Sequence, residues 1–161
     1  MIKDAVNIPV FIGHNVFTPE DAERLLEEGV GDYVALGRSQ LADPCWAKKA
    51  KEGKAEDIKP CINCLIGCLD RGLLSHTPIH CTVNPTLYKF EGPEITPAEE
   101  QKNVAVVGAG PAGSEAALTL AKRGHKVTIF EKRDFGGAMI EASVPDNKSN
   151  IRRLIQYYKN H

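Results

Sequence analysis

Asn103-Val104-Ala105-Val106-Val107-Gly108-Ala109-Gly110-Pro111-Ala112-Gly113 is the stretch that sets the fold of the last third of the chain. Five residues suited to a buried strand run into a turn with glycine at its first, third and sixth positions. A helix to about Gly124 follows, and Lys126-Val127-Thr128-Ile129-Phe130-Glu131 reads as a second strand. This is a βαβ start of the Rossmann type. Gly108 allows the tight turn, Gly110 lets main chain approach a pyrophosphate, and Gly113 lets helix and strand pack closely. The helix N-terminus then faces the phosphates with unbonded N–H groups and a partial positive charge.

Glu131 lies 23 positions beyond Gly108, where a carboxylate can accept from ribose hydroxyls and disfavours a 2′-phosphate. The bound nucleotide is therefore expected to be FAD, NAD or ADP. Pro111 and Ala112 within the turn, Lys132 after the acid, and Gly136-Gly137 as a second close approach of main chain complete the candidate cofactor-binding set. The alternative is a βαβ unit that binds no nucleotide. Beyond it, Ile151, Leu154, Ile155 and Tyr158 recur at helical spacing, and the pattern is still running at His161.

Upstream, four of the five cysteines share the spacing Cys61-x2-Cys64-x3-Cys68-x12-Cys81. Three close cysteines and a fourth returning from farther along suit four thiolates converging on an iron–sulfur cubane. Gly67 and Gly72 permit the bends, and Pro60 and Pro85 bracket the loop. Zinc usually takes two separated Cys-x2-Cys pairs, which fits less well, and incidental buried thiols are the third possibility. Cys45 stands apart beside Trp46 and is expected to be a small buried hydrophobe. Residues 59–98 otherwise carry few signals of regular structure and end in a connector with Pro85, Pro93 and Pro97.

The first 58 residues read βαβα, the grammar of a parallel sheet or barrel. Strands are expected at Ile8–Gly13 and Asp32–Arg38. A first helix is opened by Thr18 and Pro19, with Asp21 in the capping-box position, Ala22, Leu25 and Leu26 on its apolar face and Gly29 at its end. A second helix is expected over about residues 43–52. In a (β/α)8 barrel, loops after the last two strands often hold a phosphate. Gly13, Gly37 and Arg38 could supply such a site. Arg38 could equally be a surface or ion-pairing arginine.

Composition excludes some classes. Lys and Arg number 20 against 21 Asp and Glu, a net charge of −1, so no nucleic-acid face is expected. No apolar run approaches a membrane span, and residues 1–6 have no signal-peptide core. An odd cysteine count argues against a disulfide framework. A cytoplasmic, reducing location is the expectation.

Several segments in one order carry a resemblance: Ile8-Pro9-Val10, Val34-Ala35-Leu36-Gly37-Arg38, Leu41-Ala42-Asp43-Pro44, Pro60-Cys61-Ile62-Asn63-Cys64, Cys68-Leu69-Asp70, Cys81-Thr82-Val83-Asn84-Pro85 and Val107 to Gly113. With them the sequence resembles the multidomain members of the old yellow enzyme family, such as 2,4-dienoyl-CoA reductase, clostridial enoate reductases and trimethylamine dehydrogenase. The resemblance implies an α/β architecture in three parts. Residues 1–58 would be the C-terminal end of an FMN-binding TIM barrel, 59–98 an iron–sulfur loop and linker, and 99–161 the start of an FAD- or ADP-binding Rossmann-like domain. It implies a 4Fe-4S cluster on Cys61, Cys64, Cys68 and Cys81, FMN phosphate contacts at Gly13, Gly37 and Arg38, and the ADP half of FAD on Gly108, Gly110, Gly113, Glu131 and Gly137. His14-Asn15 stands where the family often has arginine, and Ala138 where reductases often have glutamine.

In the parent enzyme, electrons would pass from NADH to FAD, singly through the cluster to FMN, and on to an activated C=C bond of a small molecule. The x3 spacing before Cys68 looks more like this reductase branch. The alternatives are an amine dehydrogenase with ADP in place of FAD, an electron-transfer module, or an inactive truncated product. About six barrel strands, the family's proton-donating residues and the NAD(H) domain would lie outside these residues, so no catalytic residue is assigned. Two barrel strands would leave edges and apolar faces exposed, and the isolated chain is expected to lack turnover.

Overall fold

The computed structural model describes residues 2–87 and 95–161, so Pro93 of the expected connector lies outside the described residues. The chain divides into two compact units, Met1–Leu87 and Tyr88–His161.

In the first unit, β1 (Phe11–Ile12) and β2 (Tyr33–Val34) pair in parallel, Phe11 opposite Tyr33 and Ile12 opposite Val34. The two aromatic rings stack with centroids 4.9 Å apart, and both side chains are largely exposed. The strands are shorter than expected, and side-chain chemistry explains why. The Asp32 carboxylate takes the Val10 N–H at 2.8 Å and the Lys3 ammonium at 2.7 Å, so the ladder begins only at Phe11. At the other end His14 and Asn15 turn the chain at φ +80° and +56°, and Gly37 has already left the extended region.

Helix α1 (Pro19–Glu27) joins the strands. Thr18 Oγ1 accepts from the Asp21 N–H at 3.1 Å, Pro19 opens the helix, and Gly29 follows it at φ +67°. The helix expected over about residues 43–52 is α3 (Trp46–Lys51), and a short helix that was not expected, α2 (Arg38–Ala42), precedes it where the second strand was expected to end. Pro44 separates the two: the residue before a proline is pushed out of the helical region, and Asp43 sits at φ −138°, ψ 103°. Cys45 is exposed, which corrects the expectation of burial. Trp46 occupies the buried position, and its indole N–H donates to the Phe17 carbonyl.

A wide helix over Ile66–Leu74 replaces the expected loop. It is wound with i→i−5 bonds, among them Asp70 N–H to Leu65 O at 3.0 Å and Ser75 N–H to Asp70 O at 2.8 Å. Such π-type winding is rare and concentrates at functional sites.

The second unit follows the expected pattern closely. β3 (Asn103–Val107) and β4 (Lys126–Phe130) are parallel, in register from Asn103 opposite Lys126 to Val107 opposite Phe130, and α4 (Pro111–Lys122) crosses between them. Val104 and Val106 alternate toward α4, while Val107 and Phe130 are exposed. Short α5 (Ala138–Ala142) leads to α6 (Asn150–Asn160). Leu154, Tyr157 and Tyr158 are its buried residues. The Tyr158 hydroxyl donates to Glu115 Oε2 at 2.7 Å, tying α6 to α4, and burial together with that carboxylate pushes the phenol up. No helix among the described residues is long and apolar enough to cross a membrane.

The packing of α4 on the turn leaves no room for a side chain at Gly113, where a Cβ would lie 1.9 Å from the Gly108 carbonyl oxygen. Both partners are main chain and cannot give way. Gly113→Ala is therefore expected to destabilise the chain by about 1–3 kcal/mol or more, read as a lower urea midpoint.

Candidate cofactor-binding sites

The glycine-rich turn is built by main chain. The Gly108 N–H donates to the Phe130 carbonyl at 2.7 Å, extending the β3–β4 pairing one residue into the turn, and Gly108 itself sits at φ +98°. α4 then starts at Pro111 with no side-chain cap, so its first-turn N–H groups are offered to an incoming anion. Gly136 and Gly137, at φ +128° and +52°, pack against this turn. The Gly136 N–H donates to the Ala109 carbonyl at 3.0 Å, and a Cβ on Gly137 would lie 2.9 Å from Gly110 Cα. The second glycine pair thus approaches the first turn itself, and together they form a two-layered main-chain cradle.

An open cleft beside it is walled by Val107, Gly108, Phe130, Glu131, Lys132 and Arg133. Glu131 Oε2 accepts from the Ala109 N–H at 2.7 Å and Oε1 from the Arg133 N–H at 2.9 Å. These bonds, the Ala109 one foremost, hold the carboxyl below the usual glutamate range. Each oxygen keeps a lone pair for a further donor such as a ribose hydroxyl.

In the first unit all four clustered cysteines, Cys61, Cys64, Cys68 and Cys81, wall one cavity, shared with Arg38 and His80 among others. The fourth cysteine is brought in by a main-chain contact. The His80 N–H donates to the Gly67 carbonyl at 2.8 Å, and a Cβ on Gly67 would stand 2.3 Å from the His80 carbonyl oxygen. Cys68 and Cys81 each follow one residue later. Asn63 and Leu65 adopt left-handed backbone on either side of Cys64, at φ +56° and +63°. The Asn63 N–H donates to Cys61 Sγ at 3.4 Å, and Cys64 Sγ lies 3.2 Å from Thr82 Oγ1. Burial pushes the Cys61 and Cys81 thiols up. For Cys61 the Asn63 N–H and then the Arg38 charge oppose it. Among the described residues, no three Cys, His, Asp or Glu side chains close on a single ion-sized point.

A third recess is lined by His14, Asn15, Phe17, Gly37, Arg38 and Ser39. It unites Gly37 and Arg38, whereas Gly13 is not one of its walls. Arg38 Nη2 donates to Asn15 Oδ1 at 2.9 Å and Nη1 to Asn63 Oδ1, with the guanidinium carbon 5.9 Å from the centroid of the Phe17 ring. Arg38 is partly buried and hydrogen-bonded on two sides to residues of the first unit.

Two groups important to the cysteine cavity were not singled out in the sequence. Asp43, 5% exposed, accepts from the Lys59 N–H at 2.8 Å, the Cys45 N–H at 2.9 Å and the Lys49 ammonium at 2.6 Å. The Asn84 side-chain amide donates to the Leu41 carbonyl at 2.9 Å. In the sequence they stand only within the segments quoted for the resemblance, each immediately before a proline, Pro44 and Pro85.

Two outcomes follow from this geometry. Gly67→Ala forces His80 away and is expected to abolish iron and sulfide loading by the chain, checked by elemental analysis after anaerobic reconstitution. Glu131 is held ionised in the folded state, so its contribution to stability is present above pH 4.5, the ordinary glutamate value. That contribution is lost as pH falls through the lower folded value. The stability gap between wild type and Glu131→Gln should therefore close on acidification, measured as urea midpoints across that range.

Comparison with known proteins places these sites in a family. A family model described as an NAD(P)-binding Rossmann-like domain matches residues 106–160. The chain is 46% identical over 154 residues to the NADH oxidase of Thermoanaerobacter brockii, covering 94% of this chain and 24% of that protein. It is 44% identical over 161 residues to the bilirubin reductase of Mediterraneibacter gnavus, covering 99% of this chain and 25% of that protein. The structure of a 2-naphthoyl-CoA reductase in complex with 2-naphthoyl-CoA superposes with a TM-score of 0.90 at 35% identity, over 99% of this chain and 24% of that one. The chain spans about a quarter of the length of the relatives it matches, and over that quarter it belongs to the multidomain oxidoreductases of the old yellow enzyme family.

Proposed function

We propose that this chain is the cofactor-bridging part of an NADH-dependent iron–sulfur flavoprotein oxidoreductase. Residues 1–58 form the end of an FMN-binding barrel, 59–98 the cluster loop and linker, and 99–161 the start of the FAD domain. The observation that carries the reading is the convergence of Cys61, Cys64, Cys68 and Cys81 on one cavity. Zinc usually takes two separated Cys-x2-Cys pairs, which this spacing fits less well. Four thiols lining one cavity could hold a polynuclear iron–sulfur core. The donor set is all sulfur, as iron–sulfur clusters prefer.

When bound, a 4Fe-4S cluster supplies one-electron steps between two-electron carriers. The chain's own groups do the rest. The four thiols ligate, and the Asn63 N–H adds a hydrogen bond to the sulfur of Cys61. The turn at Gly108 to Gly113 offers main-chain donors to a pyrophosphate, while Glu131 and Lys132 border the cleft where the adenosine would sit. Arg38 and Gly37 line the recess that suits the FMN phosphate. The whole protein would carry electrons from NADH through FAD, the cluster and FMN to an activated C=C bond.

The test is anaerobic purification of the chain with iron, sulfide and zinc analysis and EPR of the dithionite-reduced sample. Four irons and four sulfides per chain with a reducible signal are expected. Zinc in place of iron, with no sulfide, would falsify the cluster. One flavin plus ADP in the whole protein, rather than FMN and FAD, would move the reading to an amine dehydrogenase.

A further inference from the structure

Arg38 faces two ways. It walls both the recess at residues 14–17 and 37–39 and the cavity that holds the four cysteines. If an anion were its sole business, its donors would point into the recess. Instead Nη1 is bonded to Asn63 Oδ1 and Nη2 to Asn15 Oδ1, and the guanidinium is steadied over the Phe17 ring. Asn63 sits between Cys61 and Cys64 at φ +56°, and its own N–H donates to Cys61 Sγ. A continuous chain of contacts therefore runs from the guanidinium through the Asn63 side chain and main chain to a ligand sulfur. Arg38 and Asn63 are 25 positions apart, and both are half-buried, so the charge is incompletely screened by water.

We propose that Arg38 is a positioning residue of the cysteine loop, which locks Asn63 in its left-handed turn and holds a positive charge beside the cluster so as to raise the cluster's affinity for an electron. The inference rests on the cluster reading above. Reduction adds one electron, here from dithionite, and no bond forms or breaks, so the protein acts only through the energy of the added negative charge. A fixed cation and an N–H to a ligand sulfur both lower that energy. The planar fork is essential, because two separate amide oxygens are engaged at once and a lysine cannot span them.

The experiment is an EPR-monitored redox titration of the full chain carrying its cluster, comparing wild type with Arg38→Gln, Arg38→Lys and Asn63→Ala. Arg24→Gln, on exposed α1, serves as the control. Arg38→Gln is expected to lower the reduction equilibrium about tenfold, roughly 59 mV for one electron. Arg38→Lys restores part of the charge effect, and Asn63→Ala lowers the midpoint with the arginine still present. Arg24→Gln leaves it unchanged. A wild-type midpoint in Arg38→Gln overturns the inference while leaving the cluster reading intact. Should the Gln variant fail to load, Asn63→Ala decides: a midpoint equal to wild type there overturns the inference equally. Failure of the wild-type chain to yield any iron–sulfur signal sinks the cluster reading, and the inference with it.

Discussion

The buried carboxylate of Asp43 and the amide of Asn84 fasten the two ends of the cysteine segment to one short stretch, residues 41–43. Asp43 receives the N–H of Lys59, two residues before Cys61, and Asn84, three residues after Cys81, donates to the carbonyl of Leu41. A long segment with little regular structure loses much conformational entropy when its ends are brought together, and a pair of anchors on three consecutive residues confines that loss to one place. The arrangement has a cost, because a carboxylate 5% exposed has surrendered its water. Two main-chain N–H groups and the Lys49 ammonium replace that water, each at hydrogen-bonding distance. Removing one partner from such a buried pair typically costs about 3–5 kcal/mol, so the loop is held by an interaction that works nearly whole or not at all.

The cysteine cavity of the first unit and the glycine-turn cradle of the second are each made by the same device: main chain pressed on main chain where a Cβ cannot fit. Gly67 lies against the His80 carbonyl, Gly113 against that of Gly108, and Gly137 against Gly110. Their chemistry is opposite. In the reading proposed above, the first contact would set four thiols around a space for metal, and the other two would turn main-chain N–H groups toward a space for phosphate. Close main-chain packing suits both because it positions ligating atoms without relying on flexible side chains. It also places N–H donors beside charged groups where water is thinned out.

The strand–turn–helix–strand of the second unit was legible in the sequence nearly to the residue: Asn103–Val107, a helix from the glycine turn to just short of Gly124, then Lys126 onward. Its determinants are local, namely alternating valines, three spaced glycines and a proline at the first helical position. The first unit was less legible because its determinants are distant. Asp32 delays the start of the β1–β2 ladder through a bond to Val10, and no periodicity in either strand encodes that. The short α2 was not read, although Pro44 is a local signal for the break before α3, whereas the exposure of Cys45 goes with Trp46 taking the buried position. The set of four cysteines was visible as a spacing. What gathers them was not: Gly67 with His80, Asp43 with Lys59, and Asn84 with Leu41 are contacts between residues 13 to 43 positions apart.

A division of labour follows in the cysteine segment. The bonds that hold it closed use amide, carbonyl and carboxylate groups, and none of them requires a sulfur. The Cys61 sulfur instead accepts an N–H, a role a thiolate fills better than a thiol and keeps when it binds metal. Part of the first unit's costly backbone lies in the same place, besides His14, Asn15 and His76 elsewhere. Asn63 and Leu65 in left-handed conformations, and nine residues of π-type winding from Ile66, are each less favourable than ordinary turns and α-helix, and all lie between Cys61 and Ser75. Strain in this segment, over-determined by anchors outside it, would suit the preorganised binding loop proposed above. In that reading the scaffold bears the conformational cost on folding, so the free energy of ligation could go into holding the bound group.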